Sequence, residues 1–331
     1  MISIITPFKN TAAYLPECIQ SIQNQSEQNW ELIAVNDHSE DESEEVVARF
    51  AMSDPRIKLF TNEGTGIIDA LKTAFDNSSG SFVTRMDSDD RMHPEKLTTL
   101  KSNLVRNGKG TLAIGPVQYF ADFPIGEGYF KYEKWLNKLT QKGSNYSEIY
   151  KECVVPSPSW MCHRADFIRC GAFNGEDYPE DYELTFRFYK HRLRVIPETK
   201  ILHYWRDYPK RTSRTHPNYA NNTFLDLKLK YFLRLDFDQG RPLLIWGAGT
   251  KGKQIARTLL REGVKFDWIC ENPNKIGKEI YGCEMLPISG ISNWNSYQSI
   301  ITVANPIEQQ KIKASLKNEG LAPLKDYFFF C

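Results

Sequence analysis

From residue 2 to about residue 107 the chain switches repeatedly between two hydrophobic periods, and this alternation limits it to few folds. "ISIITPF" (Ile2–Phe8) reads as a short buried strand with Pro7 near its end. In "AAYLPECIQSIQNQ", Leu15, Ile19 and Ile22 recur at helical spacing, and Pro16 belongs in the first turn. "WELIAVND" (30–37) is a second strand. Ser39 followed by Glu42 has the spacing of a capping box, placing a helix start in "SEDESEEVVARFA". "RIKLFTN" is a third strand, "TGIIDALKTAFDNS" a third helix and "SFVTRMD" a fourth strand, and the next helix opens at Pro94 and runs through "EKLTTLKSNLVRNG". Strands separated by helices imply an α/β fold, a mostly parallel sheet with helices on both faces.

The middle of the chain, about 110–235, is irregular, rich in Trp and Tyr, with short strands. At Arg241, "RPLLIWGAGTKGKQIARTLLREG" restarts a strand–turn–helix pattern. The expected division is a first domain over 1–220, a connecting helix over 221–239 around "TFLDLKLKYFLRL", and a small α/β domain over 240–331. A length of 331 residues suits about two domains. The net charge of +1 gives no footprint for a nucleic acid and none for a polybasic membrane patch. Seven scattered cysteines without a CxxC pair fit reduced thiols rather than a disulfide framework. No apolar run approaches the roughly 18 residues of a spanning helix, and the N-terminus has no basic region of a signal peptide. The expected location is cytoplasmic, peripheral to a membrane if the acceptor is held there. The sequence carries no signal of oligomeric state.

In "VTRMDSDDRMHPEKL", β-prone residues run straight into Asp87, Ser88, Asp89 and Asp90. Carboxylates crowded at the end of a buried strand repel one another and are costly to desolvate, so they need a compensating cation. Asp37 ends the second strand as Asp87 ends the fourth, and ligands of open parallel sheets bind beyond the carboxyl ends of strands. Asp87 and Asp89, two apart, point to one side of an extended chain and suit one hard divalent cation, Mg²⁺ or Mn²⁺. Residues 88–90 equally fit a solvated turn and helix cap before Pro94.

"SIITPFKNTAAYLPECIQSIQNQSEQNWELIAVNDHSEDES" resembles the opening of family 2 glycosyltransferases with the GT-A fold. "RMDSDD" is similar to their DxD motif, and "CGAFNGEDYPEDYELTFRFYK" resembles the segment that carries their catalytic base. The longer arrangement, through "KYEKWLNKL", "VVPSPSWMCHRADFIRCGAFN", "ILHYWRDYP" and "IWGAGTKGKQIARTLL", resembles β-1,3-N-acetylglucosaminyltransferase-like proteins with a Rossmann-like tail. The resemblance implies a metal-dependent, inverting transferase that moves one sugar, GlcNAc from UDP-GlcNAc, onto a glycan or glycolipid acceptor. Asp181 would be the general base with Glu180 beside it, although both also satisfy the acidic preference of a helix start. Thr6, Pro7, Phe8, Asp37, Arg85, Asp87 and Ser88 would line the donor site. Asp87, Asp89 and His203 would hold the metal, and Arg206 and Arg211 would face the diphosphate. Trp160 stands either as an acceptor platform or as core packing. The chain lacks the Q-x-x-R-W motif of processive synthases, and in "DALKTAF" Lys72 stands where the family usually has an arginine.

Gly247, Gly249 and Gly252 form G-x-G-x-x-G after a strand, with Glu271 ending the next one. Alone, this pattern fits a second nucleotide site, and with it an NAD(P)-dependent oxidoreductase; the other alternative is a non-catalytic sugar-nucleotide-binding protein whose first domain retains only binding. The pattern fits tight strand–helix packing as well. No catalytic pair accompanies it.

Overall fold

Strands β1 (Ile2–Phe8) and β2 (Trp30–Asn36) are buried at every position, which is the burial of parallel strands covered on both faces. A computed structural model describes residues 1–175, 177–215, 224–293 and 296–331. The chain folds as two compact units: Met1–Tyr146 with Val154–Arg214, and Ser147–Cys153 with Thr215–Cys331.

In the first unit, α1 (Leu15–Gln23) follows β1, and α2 (Ser43–Ser53), β3 (Ile57–Thr61), α3 (Ile67–Asp76) and β4 (Phe82–Arg85) follow β2. Then come β5 (Arg91–Met92), α4 (Lys96–Asn107), β6 (Thr111–Ile114), β7 (Val117–Phe120) and α5 (Glu127–Lys142). The unit continues with β8 (Trp160–His163), α6 (Arg164–Arg169), α7 (Glu180–Lys190), β9 (Arg194–Ile196) and β10 (His203–Arg206). Seven strands form one sheet in the order β3-β2-β1-β4-β8-β6-β9. β1 pairs in parallel with β2 and with β4, so the strand order reverses at β1. β8 is antiparallel to both β4 and β6. A crevice opens where such an order reverses, beyond the ends of β1 and β4. β5, β10 and β7 form a second, three-stranded sheet in which β10 is central.

Helix α2 starts at Ser43 rather than Ser39. The Ser39 hydroxyl accepts the Asn10 amide at 3.1 Å, and Asp41 accepts the amides of Ser43 and Ala12 at 3.0 Å each. The expected cap is therefore spent on fixing the loop that follows β1.

The short helix α8 (Thr212–Thr215) is followed by α9 (Leu225–Leu235), β11 (Leu243–Trp246), α10 (Thr250–Arg261) and β12 (Asp267–Cys270). β13 (Glu279–Ile280), β14 (Cys283–Pro287), β15 (Gln298–Ile301), α11 (Pro306–Asn318) and β16 (Tyr327–Phe329) complete the chain. The second unit's sheet runs β13-β14-β12-β11-β15-β16, parallel except at β13. The segment 147–153 enters this unit through Tyr150, whose ring stacks on Phe330 at 5.2 Å and meets Phe232 and Phe328 edge-on. Phe232 lies on α9, so that helix packs within the second unit instead of merely connecting. The expected boundary at 220/221 lies outside the described residues. All seven cysteines are free thiols. Among the described residues no helix is long and apolar enough to cross a membrane.

Candidate active site

The acidic loop leaves β4 at its carboxyl end and is held from three sides. Ser88 accepts the Thr11 hydroxyl at 3.0 Å, and the Asp87 carbonyl faces the Cys18 thiol, tying the loop to the segment after β1. Asp90 is buried, and its carboxylate accepts the Arg206 amide at 2.7 Å and meets His203 Nε2 at 2.9 Å. The same imidazole meets Lys96 Nζ at 3.1 Å through Nδ1, and Lys96 also donates to the Pro158 carbonyl. An ammonium has no acceptor, so with Lys96 charged Nδ1 accepts and Nε2–H donates to Asp90. Burial pushes the Asp90 carboxyl up and the Lys96 ammonium and His203 imidazolium down. The third aspartate of the loop is thus an anchor to β10.

This removes His203 from the expected metal ligands: it is 0 % exposed, and both ring nitrogens are taken, one beside a cation. Arg206 is also drawn inward. Its Nε donates to the Asp89 carbonyl at 2.7 Å, a terminal nitrogen pairs with Glu17, and its guanidinium packs over the Tyr14 and Phe120 rings. It braces the loop rather than facing a diphosphate.

Asp87 and Asp89 remain partly exposed. Arg85 Nε donates to Asp87 Oδ1 at 3.0 Å, while its Nη1 donates to Glu180 Oε1 at 2.8 Å. One buried guanidinium thereby joins the end of β4 to the first residue of α7, and the two carboxylates, opposing its burial, hold it charged. Beside it, Asp181 accepts the Tyr182 amide at 2.7 Å and the Ser157 hydroxyl at 3.2 Å. Burial, then the Glu180 charge, pushes the Asp181 carboxyl up to about 7 against the pull of Arg85. On the loop's other flank, burial and then Asp90 push Asp89 up to about 7, opposed by Arg211 and by a hydrogen bond to Tyr208. The Arg211 guanidinium lies over the Trp205 ring, 4.8 Å from its centroid. Two partly exposed carboxylates, one arginine clamp and a titratable aspartate therefore share one patch.

The loop before α7 explains why Glu180 and Asp181 are held so firmly. Arg187 pairs with Glu183 one turn earlier at 2.7 Å and donates to the carbonyls of Cys170 and Ala172. A Cβ on Gly175 would stand 2.3 Å from a Glu183 carboxylate oxygen, so any larger residue there must push the Glu183 carboxylate aside.

Asp37 lies at the end of β2, where its Oδ1 accepts Asn62 Nδ2 at 2.6 Å and the Gly66 amide at 2.9 Å. Lys9 stands 3.8 Å from its other oxygen. Thr6, Pro7 and Phe8 are buried in β1, and among the described residues the Thr6 hydroxyl has no hydrogen-bond partner. Lys72 pairs with Asp69 on its own helix at 3.7 Å. Trp160, expected as a possible acceptor platform, is 1 % exposed and packed against Phe167 and Phe188 at 5.4 Å each, so it is a core residue.

Four participants went unmarked in the sequence reading: Thr11, Ser157, Tyr208 and Lys96. Only Lys96 carried a signal, because it precedes the buried Leu100 and Leu104 by four and eight residues on one helical stripe.

The family model for glycosyl transferase family 2 matches residues 3–171, a span that takes in β1, Asp37 and the acidic loop. The chain belongs to glycosyl transferase family 2. This family 2 glycosyltransferase is 32% identical over 214 residues to the glycosyltransferase GlyA of Streptococcus pneumoniae, covering 62% of this chain and 30% of GlyA. It is 38% identical over 108 residues to WfgD of Escherichia coli, a UDP-Glc:alpha-D-GlcNAc-diphosphoundecaprenol beta-1,3-glucosyltransferase, covering 32% of this chain and 42% of WfgD. The chain thus spans less than half the length of either relative. Its fold is shared with TarS of S. aureus solved with UDP-GlcNAc, at a TM-score of 0.53 and 16% identity, over 78% of this chain and 71% of that one. The enzyme has the mixed α/β architecture of GT-A glycosyltransferases.

The glycines of the second unit in this transferase have structural work. Gly247 has φ +114°, and a Cβ on Gly252 would stand 2.2 Å from the Gly247 carbonyl oxygen. Both are set by the close approach of α10 to β11. Gly249 caps α10 in an extended conformation with open space at its Cβ position, and Glu271 is exposed after β12. Lys275 Nζ donates to the Ala248 carbonyl at 2.7 Å, closing the turn from inside the chain. Packing thus accounts for Gly247 and Gly252.

Proposed function

We propose that this glycosyltransferase is metal-dependent and inverting, moving a single GlcNAc from UDP-GlcNAc onto a glycan or glycolipid acceptor, with Asp181 as general base. The observation that carries this reading is the Arg85 bridge, which brings the Asp87 carboxylate at the sheet edge to Glu180 beside Asp181. A UDP-sugar donor is supported by WfgD, which uses UDP-Glc, and by the UDP-GlcNAc complex of TarS. A lipid-linked acceptor is supported by the diphosphoundecaprenol substrate in the name of WfgD.

Among the described residues no group of three or more His, Cys, Asp or Glu is arranged to hold a metal by itself. Asp87 and Asp89 supply two hard oxygen donors, which fits Mn²⁺ or Mg²⁺ completed by donor phosphate oxygens. Bound there, the ion would neutralise the diphosphate as it leaves. Asp181 takes the proton of the acceptor hydroxyl as that oxygen bonds to the anomeric carbon. The bond from that carbon to the diphosphate oxygen breaks, and its electron pair leaves with UDP. The Glu180 carboxylate, held by Arg85, lies beside Asp181 and favours proton uptake there. Arg211 adds positive charge beside Asp89. Asp37 contacts the nucleotide base, next to the backbone of Thr6–Phe8.

The test is nucleotide release from a panel of nucleotide sugars with Mn²⁺, with and without simple acceptors. We expect release from UDP-GlcNAc that is lost in Asp89→Ala. In Asp181→Asn, kcat is expected to fall about 10²–10⁴-fold with donor binding retained. Release from no donor would overturn the transfer reading. Full turnover in Asp181→Asn would remove the base.

A further inference from the structure

Helix α5 presents a face that the transfer reaction does not use. Lys131, Lys134, Lys138 and Lys142 recur three, four and four residues apart, which places them on one side, and all four are exposed. Glu127 pairs with Lys131 at 2.8 Å, while among the described residues Lys134, Lys138 and Lys142 pair with no acid. Phe130 flanks the stripe and is 44 % exposed. On the other flank lie the half-buried rings of Tyr132 and Trp135, 5.6 Å apart.

The helix cannot turn this face inward. Leu136, Leu139 and Thr140 are buried on the opposite side. Asn137 makes a pair of hydrogen bonds with the Val117 backbone at 2.9 and 2.7 Å, and Glu133 accepts the Tyr119 amide at 2.6 Å. Beyond Lys131 the stripe lacks the acids four residues away that neutralise a solvated face, and Phe130 adds exposed apolar surface beside it. With a net charge of +1 for the whole chain, the stripe is a local concentration and not general basicity.

We propose that the outer face of α5 docks on the anionic headgroups of a lipid bilayer, its lysines on the phosphates and Phe130 in the interfacial layer. Lysines bordered by aromatic rings are the composition of a helix lying in a membrane interface, and phosphate-bearing headgroups supply the complementary charge. The placement gives docking a purpose. Tyr119 of β7, held by α5, stacks on Trp205 at 5.0 Å, and Arg211 covers the other side of that contact near Asp89. Through its inner side α5 connects by this aromatic layer to the acidic patch, so docking of its outer face brings the site to a lipid-borne acceptor. Only this last step rests on the proposed acceptor class; the docking stands on the helix face.

The test is sedimentation of the full chain with vesicles of phosphatidylcholine alone and with added phosphatidylglycerol. We expect binding only to the anionic vesicles, weakened roughly tenfold or more by Lys134→Gln with Lys138→Gln and weakened also by Phe130→Ser. Replacing the exposed Lys109 and Lys265, which lie outside α5, by Gln controls for bulk charge and should leave binding unchanged. Absence of binding to anionic vesicles overturns the proposal, as does equal loss in the control pair. So does binding to soluble heparin that is as tight as binding to vesicles and indifferent to Phe130→Ser, which would make the face a polyanion site. Nucleotide release with a soluble acceptor, run on the same variants, is expected to stay unchanged, so failure of docking and failure of transfer are read separately.

Discussion

Asp181 holds its proton to about pH 7 because burial and the Glu180 charge both oppose ionisation. A base must be unprotonated, so kcat is expected to rise with pH up to about 7 and then level off. A pH–rate profile that is flat between pH 5 and 8 would exclude Asp181 as the base. The stability term has the opposite sign. An aspartate with a raised folded pKa binds more protons in the native state than unfolded, so its contribution is full below the ordinary carboxylate range. That contribution is lost as pH rises towards 7, and Asp181→Asn should flatten this slope in denaturant titrations at a series of pH values. Asp90 is the second informative residue. Its two oxygens accept from Arg206 N and His203 Nε2, so an amide in its place must turn an NH₂ towards one donor. Asp90→Asn is expected to destabilise the chain by about 1–3 kcal/mol, seen as a lower denaturant midpoint at unchanged m-value.

At the scale of elements, α7 and the 171–175 loop behave as one piece through Arg187 and Glu183. Gly175→Ala places a methyl group against the Glu183 carboxylate, and loosening that pair is expected to cost about 1–3 kcal/mol. Thermal unfolding measures it, and a wild-type Tm in the variant would mean the loop shifts freely. The parallel strands were legible from sequence because burial on both faces makes β1 and β2 mostly apolar. The acidic cluster after β4 was legible too, since carboxylates after an apolar run are unusual, whereas the pair that opens α7 was legible only through the family resemblance. The start of α2 was not. Ser39 and Glu42 satisfy a local cap pattern, yet the Asn10 amide, 29 residues away, takes the hydroxyl. His203 failed for the same kind of reason. Nothing local shows that Lys96, 107 residues away, stands against its ring. Trp160 reads alike as platform or packing until Phe167 and Phe188 are seen around it.

For the whole molecule, the unit boundary is the departure with the widest effect. The second unit draws on Ser147–Cys153 and on α9, so residues 240–331 are not its complete set. A fragment 241–331 lacks Tyr150 and Phe232, the partners of Phe328 and Phe330. It is expected to show no cooperative thermal transition by circular dichroism, while the full chain does; a sharp transition in the fragment would show that the loop and α9 are dispensable.

The Tyr150 excursion also sets an order of events during synthesis. Tyr150 leaves the ribosome some 180 residues before Phe330, its stacking partner, an interval of about 10–40 s at ordinary elongation rates. Through that interval the nascent chain carries an aromatic loop whose resting place has not yet been made. A chain stopped before Phe328 and Phe330 therefore leaves the Tyr150 ring without these two ring partners.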